Sequence, residues 1–322
     1  MTTKLLTIFT RTPLHVGCGS SVGAVDQPVI RERHTRFPVI PGSALKGVLA
    51  DLFMKEEDVQ KVERKDKNGN VIGHDYVRIK ERNAWILFGD NSNKNGSAHN
   101  GALFIGESKL LAFPVRSAKG CFAFVTCPLA LERFNRDTGF GIPIPQISTN
   151  ESVAVLQDSV LTINGSVILE EYPLSLEISR WLIREDSPLK SLSDDAAWVG
   201  DKGSADFGKR LAVISDELFQ YFVENDCEIA QHNRIDDEKG VVEGGALFNQ
   251  ENVPSEAMFY CVMNAKDYVA AESEENMSAE KVMKVLKDRL NAEGGLLQIG
   301  ADITTGLGWC SVKIQDCGKK SK

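Results

Sequence analysis

The sequence has few of the residue arrangements from which redox or transition-metal sites are built. Its seven cysteines are scattered and never form a C-x-x-C pair, and only five histidines accompany them. This pattern argues against a disulfide framework and against a structural zinc site. The chain also lacks an apolar run near the roughly 18 residues that a membrane span requires, and its first residues make a poor signal peptide. We therefore expect a cytoplasmic protein.

Positive charge is also in deficit, since 37 lysines and arginines stand against 45 acidic residues and the net charge is −8. Proteins that bind nucleic acid usually carry a basic surface, so the total charge argues against that function. The distribution of charge weakens this objection. Between Val29 and Gly47, four basic residues accompany a single acidic residue, whereas acidic residues crowd segments 216–243 and 272–280.

Two common nucleotide-binding fingerprints are absent as well. Gly17, Gly19 and Gly23 have the spacing G-x-G-x-x-x-G, which is one residue too long for a dinucleotide-binding turn. The segment GSALKG places its lysine before the second glycine, whereas a P-loop has the lysine after it. The sequence therefore predicts neither a Rossmann site nor a P-loop.

The apolar patterning predicts an α+β fold. Strands are indicated at both ends of the chain and helices between them, and no βαβ period repeats, which favours an antiparallel sheet. We predict strands at 4–10, 102–113, 121–127 and 309–314, helices with Ser43 and Ser215 as N-caps, and an amphipathic helix over 278–290. Two charged, turn-rich segments, 55–80 and 234–259, interrupt this pattern as excursions from the main body.

The loop from Val16 to Pro28 carries the most suggestive chemistry. Its glycines would let backbone N–H groups approach a phosphate, and His15 and Asp26 lie nearby. Asp26 could bind a divalent metal together with phosphate, or accept a proton. Alternatively, Asp26 precedes Pro28 by two residues and could organise a local Asx turn. The residues alone leave both interpretations open.

Four segments of the chain resemble the RAMP proteins of type III CRISPR complexes. They are FTRTPLHVGCGSSVGAVDQPVIRERHTRFPVIPGSALKGVLAD, PVRSAKGCFAFVTCPLAL, NRIDDEKGVVEGGALFNQENVPSEAMFY and IGADITTGLGWC. The PGSALKG and GADITTGLG elements are specific in combination, and the matches extend from near residue 5 to residue 314. On these segments the chain is identified as a backbone subunit of the type III-B (Cmr) branch of the Cas-seven superfamily.

The resemblance implies a single RAMP domain over residues 1–322. This domain would be a modified ferredoxin-like (RRM-like) palm with an antiparallel sheet, a finger-like insertion at about 55–80 and a thumb hairpin at about 229–259, and residues 318–322 would form a disordered tail. Such subunits stack along CRISPR RNA into a helical filament with other Cmr subunits. Each thumb displaces one base pair of the guide–target duplex.

The resemblance also implies a function and a set of site residues. The family cleaves guide-paired target RNA at regular intervals in antiviral defence, as a metal-dependent endoribonuclease. Asp26 matches the cleavage aspartate and would hold the divalent ion, expected to be Mg²⁺, while His15 matches a nearby family histidine and is the second candidate catalytic residue. The expected RNA-binding residues are Ser43, Lys46, Arg31, Arg33, Gly17, Gly19, Gly300, Thr304, Thr305 and Gly306.

Two other interpretations stay open at this stage. The chain could be a structural RAMP subunit that binds guide RNA and never cuts, although the loop aspartate argues against this. It could also be a small-molecule enzyme that uses a ferredoxin-like scaffold and the glycine loop to bind a nucleotide. Base pairing would supply sequence specificity in the RAMP interpretation, so the protein need only grip the RNA backbone and read its shape.

Overall fold

One large sheet organises the part of the chain that the structure describes. The computed structural model describes residues 1–19, 23–67, 69–80, 82–90, 99–178, 205–233, 247–269 and 276–318. Within these ranges, 13 strands form a single sheet in which most neighbouring pairs are antiparallel. The predicted α+β fold with an antiparallel sheet is therefore confirmed. Two parallel pairs on one side of this sheet were not predicted.

The sheet has a central group of long strands and an outer group of shorter ones. The central strands are β1 (Thr2–Thr10), β8 (Ser108–Arg116), β9 (Phe122–Thr126), β17 (Met258–Ala265) and β19 (Trp309–Asp316). The remaining strands of the sheet are β2 (Val39–Ile40), β7 (Leu103–Ile105), β10 (Ser152–Val155), β11 (Thr162–Ile163), β12 (Ser166–Leu169), β13 (Tyr172–Ile178), β14 (Leu211–Val213) and β18 (Leu296–Gln298). Strand β1 lies between β17 and β19 and is antiparallel to both.

Both faces of the central strands are covered. Side chains alternate along a strand, so Leu6 and Ile8 enter one hydrophobic cluster while Leu5 and Phe9 enter the other. The helices are α1 (Gly42–Asp51), α2 (Arg82–Phe88), α3 (Pro128–Thr138), α4 (Ala205–Arg210), α5 (Asp216–Asn225) and α6 (Ala279–Ala292). Helix α6 packs on β1, β17 and β19, whereas α3 packs on β8 and β17. None of the helices in the described ranges is long and apolar enough to cross a membrane.

Two antiparallel ribbons stand outside the main sheet, and each coincides with part of a predicted excursion. Strands β3 (Met54–Lys65) and β4 (Val71–Lys80) pair with each other, and Asn70 closes their turn by donating its backbone N–H to Asp66 at 2.8 Å. Strands β15 (Glu228–His232) and β16 (Phe248–Asn252) form the second ribbon. Residues 234–246, the expected thumb tip, and Asn68 lie outside the described residues. A third short pair is formed by β5 (Gly89–Asp90) and β6 (His99–Asn100).

One of the two predicted helix caps is correct. Ser215 accepts a hydrogen bond from the backbone N–H of Leu218 at 3.2 Å, and Ser278 caps α6 in the same way. The prediction for Ser43 is wrong. Pro41 occupies the N-cap position with an extended ψ of 142°, so helical geometry begins at Gly42 and Ser43 already lies inside the first turn, where α1 has no side-chain cap.

This difference between the two serines predicts different stability effects. We expect Ser215→Ala to lower the free energy of unfolding by about 1 kcal/mol, because the first turn of α5 loses an N-cap acceptor. The matched control Ser43→Ala should leave stability unchanged, since that hydroxyl caps nothing. Urea denaturation of the two variants measures both values. Equal losses would contradict the assignment of the caps.

Candidate functional site

Strand β16 is the common attachment point for the segments in which the sequence predicted a site. Three consecutive residues of this strand each bond a different part of the chain. Asn249 bonds Asp26, Gln250 bonds Asp302, and Glu251 bonds His15 together with the segment that follows Asp26. The fold therefore brings the N-terminal glycine loop and the C-terminal glycine loop together at one ribbon.

Asp26 is exposed and is held by a reciprocal pair of hydrogen bonds with Asn249. The backbone N–H of Asn249 donates to Oδ2 of Asp26 at 2.9 Å, and the backbone N–H of Asp26 donates to Oδ1 of Asn249 at 2.7 Å. The Asn249 amide also donates to the carbonyl of Ala24 at 3.3 Å. The Asp26 carboxylate thus bonds a residue 223 positions away in the chain rather than a neighbour in a local turn.

His15 is buried, with 6% of its surface exposed, and it supports the same loop. Its Nδ1 lies 2.7 Å from the carbonyl oxygen of Glu251, and because a carbonyl only accepts, Nδ1 carries the proton. Two predicted RNA-binding glycines pack tightly against this residue. A Cβ at Gly17 would lie 2.6 Å from His15 Nε2, and a Cβ at Gly300 would lie 2.1 Å from the His15 carbonyl oxygen. Both positions therefore require glycine for close packing.

Glu251 forms the buried centre of the cluster. Its carboxylate accepts hydrogen bonds from Arg31 Nη2 at 2.6 Å and from the backbone N–H of Val29 at 2.9 Å, and its own N–H donates to Gln27. The side chains of Arg31 and Glu251 are 5% and 9% exposed. Sequence reasoning missed Glu251, whose only signal was its place in the E-x-x-P element of the thumb segment.

Arg31 does not have the placement expected of an RNA-binding residue. Its guanidinium donates to Glu251, to the carbonyls of Arg36 and Val223, and to the sulfur of Cys227. Burial raises the pKa of the Cys227 thiol to about 12, so this sulfur is a neutral acceptor at physiological pH. The number of basic residues between Val29 and Gly47 did not indicate that the side chain of Arg31 is buried.

The other predicted RNA-binding residues are accessible. Arg33 is exposed, and Ser43 and Lys46 lie three residues apart on the exposed face of α1. Backbone bonds connect this helix to the site, because Ile30 donates to Val16 and accepts from Val39, shortly before α1 begins. Gly19 is exposed in the N-terminal glycine loop.

The C-terminal glycine loop presents a second set of exposed groups. Ile303–Thr305 form a single 3-10 turn, in which Thr304 and Thr305 are exposed, and Gly306 ends this turn. Asp302 anchors the turn to the ribbon, since its Oδ2 accepts from Gln250 Nε2 at 3.0 Å. Asp302 was not predicted as a site residue.

The metal-binding capacity of the described residues is small. They contain no group of three or more His, Cys, Asp or Glu side chains that could hold a metal ion. Asp26 offers an exposed carboxylate, which is a hard oxygen ligand of the kind that Mg²⁺ prefers. An open groove of about 450 Å³ runs beside the loop, between residues 23–25 and the Arg36–Glu224 ion pair. Asp26 does not line this groove, and its side chain is exposed to solvent.

Comparisons with known proteins agree on one family. The RAMP superfamily model matches residues 7–311. The CRISPR system Cmr endoribonuclease Cmr4 of Pyrococcus furiosus is 34% identical over 324 residues, covering 98% of this chain and 97% of that protein. The crystal structure of oligomeric Cmr4 from Pyrococcus furiosus is similar with a TM-score of 0.63 and 27% identity, covering 99% and 100% of the two chains.

A more distant structure shares the fold. A chain in the cryo-EM structure of the type III-B Cmr-beta complex bound to cognate target RNA has a TM-score of 0.66 and 19% identity, and the match covers 98% of this chain and 97% of that one. The similarity extends over nearly the whole of both chains. The agreement in fold therefore includes the sheet and the segments that carry the site.

The two neighbouring arginines predict different stability effects. We expect Arg31→Ala to lower the free energy of unfolding by about 3–5 kcal/mol, because it leaves the Glu251 carboxylate buried without its partner. Arg33→Ala, the matched control, should change it by no more than about 0.5 kcal/mol, because Arg33 is exposed. Chemical denaturation measures both values. A loss for Arg31→Ala as small as that of the control would show that the buried pair does not hold the segment.

Proposed function

The chain belongs to the RAMP superfamily, and we propose that it is the repeated backbone subunit of a type III-B CRISPR effector complex that binds CRISPR RNA and cleaves the paired target RNA. Several copies assemble along the guide, together with other Cmr subunits, and the complex works in the cytoplasm. Its full-length similarity to a named endoribonuclease supports the activity. The similarity to an oligomeric structure supports the self-assembly.

The observation that carries the cleavage role is the placement of Asp26. It is an exposed carboxylate on a loop that is tied to the ribbon at Asn249, and the ribbon strands β15 and β16 are the described part of the predicted thumb. A group that acts on a scissile phosphate must reach solvent and must also be held in position. Asp26 meets both requirements, and it matches the family's cleavage aspartate in the glycine-loop motif.

Asp26 is the residue that would hold a divalent cation, which we propose to be Mg²⁺. When bound, the ion would supply positive charge to stabilise the charge that develops on the scissile phosphate. Mg²⁺ is commonly held by one or two carboxylates together with substrate phosphates, which fits a site with a single exposed carboxylate. The RNA therefore completes the site, and the protein's contribution is the position of one side chain.

His15 would hold the loop in place, whereas Lys46 and Arg33 would supply positive charge. His15 is 6% exposed and bonds the Glu251 carbonyl. We therefore assign it a role in holding the loop rather than contact with the reacting groups. Lys46 and Arg33 present exposed positive charge that would grip the guide backbone, as RNA phosphates attract such groups without reading sequence. The displaced, unstacked target nucleotide can then adopt the in-line geometry that a stacked A-form strand resists.

The first functional prediction concerns Asp26 itself. In a complex reconstituted with guide RNA, we expect Asp26→Asn to abolish cleavage, because a neutral amide is a poor ligand for a cation, while assembly and target binding stay near wild type. Gel analysis of labelled target RNA measures cleavage, and filter binding measures affinity. Retained cutting would refute the assignment and would leave the non-catalytic backbone subunit as the better interpretation.

The second functional prediction concerns the metal ion. Excess EDTA should stop cleavage by the wild-type complex without releasing the target RNA, because base pairing and backbone contacts hold the RNA. Added Mg²⁺ should restore cutting in the wild-type complex and not in the Asp26→Asn complex. Cleavage at the normal rate in EDTA would show that the reaction needs no divalent ion.

A further inference from the structure

We infer that Asn249 is a positioning residue for cleavage, which orients the Asp26 carboxylate and links it to the ribbon that leads into the thumb. This inference rests on the proposed function, since it assigns to Asn249 a role that acts through Asp26. Asn249 would act by holding Asp26 in place and not by contacting the RNA. The geometry around Asp26 carries it in three steps.

The first step is the orientation of the carboxylate. The backbone N–H of Asn249 donates to Oδ2 of Asp26, and none of the described residues donates to Oδ1. Oδ2 is therefore held by the backbone of β16, and Oδ1 has no donor among the described residues. Because this donor is a backbone group, substitutions at position 249 keep it and act through the loop backbone that the Asn249 side chain holds, where an error of about 1 Å in position can cost about 100-fold in rate.

The second step is the chemistry of the Asn249 side chain. Its Oδ1 accepts the Asp26 N–H, and its Nδ2 donates to the Ala24 carbonyl, so the amide holds the loop at two points only two residues apart. An amide side chain combines an acceptor and a donor on one planar group. An aspartate at this position would keep the acceptor and lose the donor, whereas an alanine would lose both.

The third step is the place of Asn249 in the fold. It lies on β16, one residue before Gln250 and two before Glu251, which fasten the same strand to Asp302 and to Arg31. Across the ribbon, Asn249 is opposite Gln231. The position of Asp26 is therefore tied to β15 and β16, which are the described part of the predicted thumb hairpin.

The test compares four variants in the complex reconstituted with guide RNA. They are Asn249→Ala, Asn249→Asp, Asp26→Asn as the reference for a lost carboxylate, and Gln231→Ala as the matched control on the opposite strand. We expect Asn249→Ala to lower the single-turnover rate constant at saturating target by about 100-fold, with an unchanged Kd for target RNA. Asn249→Asp, which keeps the acceptor, should recover about tenfold of this loss. Gln231→Ala should cleave like wild type.

A second readout does not depend on activity. Hydrogen–deuterium exchange of backbone amides in residues 24–29 should become faster in Asn249→Ala, because the Asp26 N–H loses its acceptor, and should stay unchanged in Gln231→Ala. If Asn249→Ala does not assemble, Asn249→Asp decides alone. Its slowed cleavage with normal target binding would support the inference, and a wild-type rate constant would overturn it.

The outcomes separate this inference from the proposed function. If Asp26→Asn is inactive while Asn249→Ala cleaves at the wild-type rate, Asn249 does not position the carboxylate, and the proposed function stands. If Asn249→Ala weakens target binding as much as it slows cleavage, Asn249 contacts RNA, and the inference is wrong. If Asp26→Asn itself cleaves normally, the proposed function fails at Asp26, and the inference fails with it.

Discussion

The ion pair between Arg31 and Glu251 sits where the glycine loop, the segment after it and strand β16 meet. Moving two charged groups out of water costs several kcal/mol, and the cost is offset here because the carboxylate also accepts the Val29 N–H while the guanidinium satisfies further acceptors. The pair therefore favours one arrangement of the glycine loop, the segment after it and strand β16. Only one register of β16 against the loop satisfies these groups together, and a shift of one residue would turn every side chain of the strand to the opposite face.

That single register explains how an exposed loop can hold a side chain in place. Glycine-rich loops are ordinarily the least ordered parts of a fold, because glycine has the largest conformational freedom to lose. Here the two ends of the loop are bonded, at His15 on one side and at Asp26 and Val29 on the other, and these three bonds lead to β16. The glycines permit close backbone approach, and the strand supplies the rigidity.

The sequence predicted the general architecture, and it failed where the arrangement depends on contacts between distant segments. The α+β fold, the cap at Ser215 and the amphipathic helix after Ser278 followed from local patterns, whereas the candidate site followed from the family resemblance. Ser43 failed as a cap because Pro41 occupies the N-cap position two residues earlier. The burial of Arg31 could not be predicted, since it depends on Glu251, 220 positions away in the chain.

The chain can be acidic overall and still bind RNA as proposed, because an excess of positive charge is concentrated in one segment, between Val29 and Gly47. In the cluster, Glu251 neutralises one arginine of the basic segment and removes it from the surface, while Arg33 and Lys46 stay exposed. The positive potential is thus local, and phosphate contacts need only that local potential. Under the proposed function, one exposed carboxylate would be an incomplete catalytic site. The missing ligands and the distorted target geometry would both come from RNA held by assembled copies, so we expect an isolated chain to cleave little.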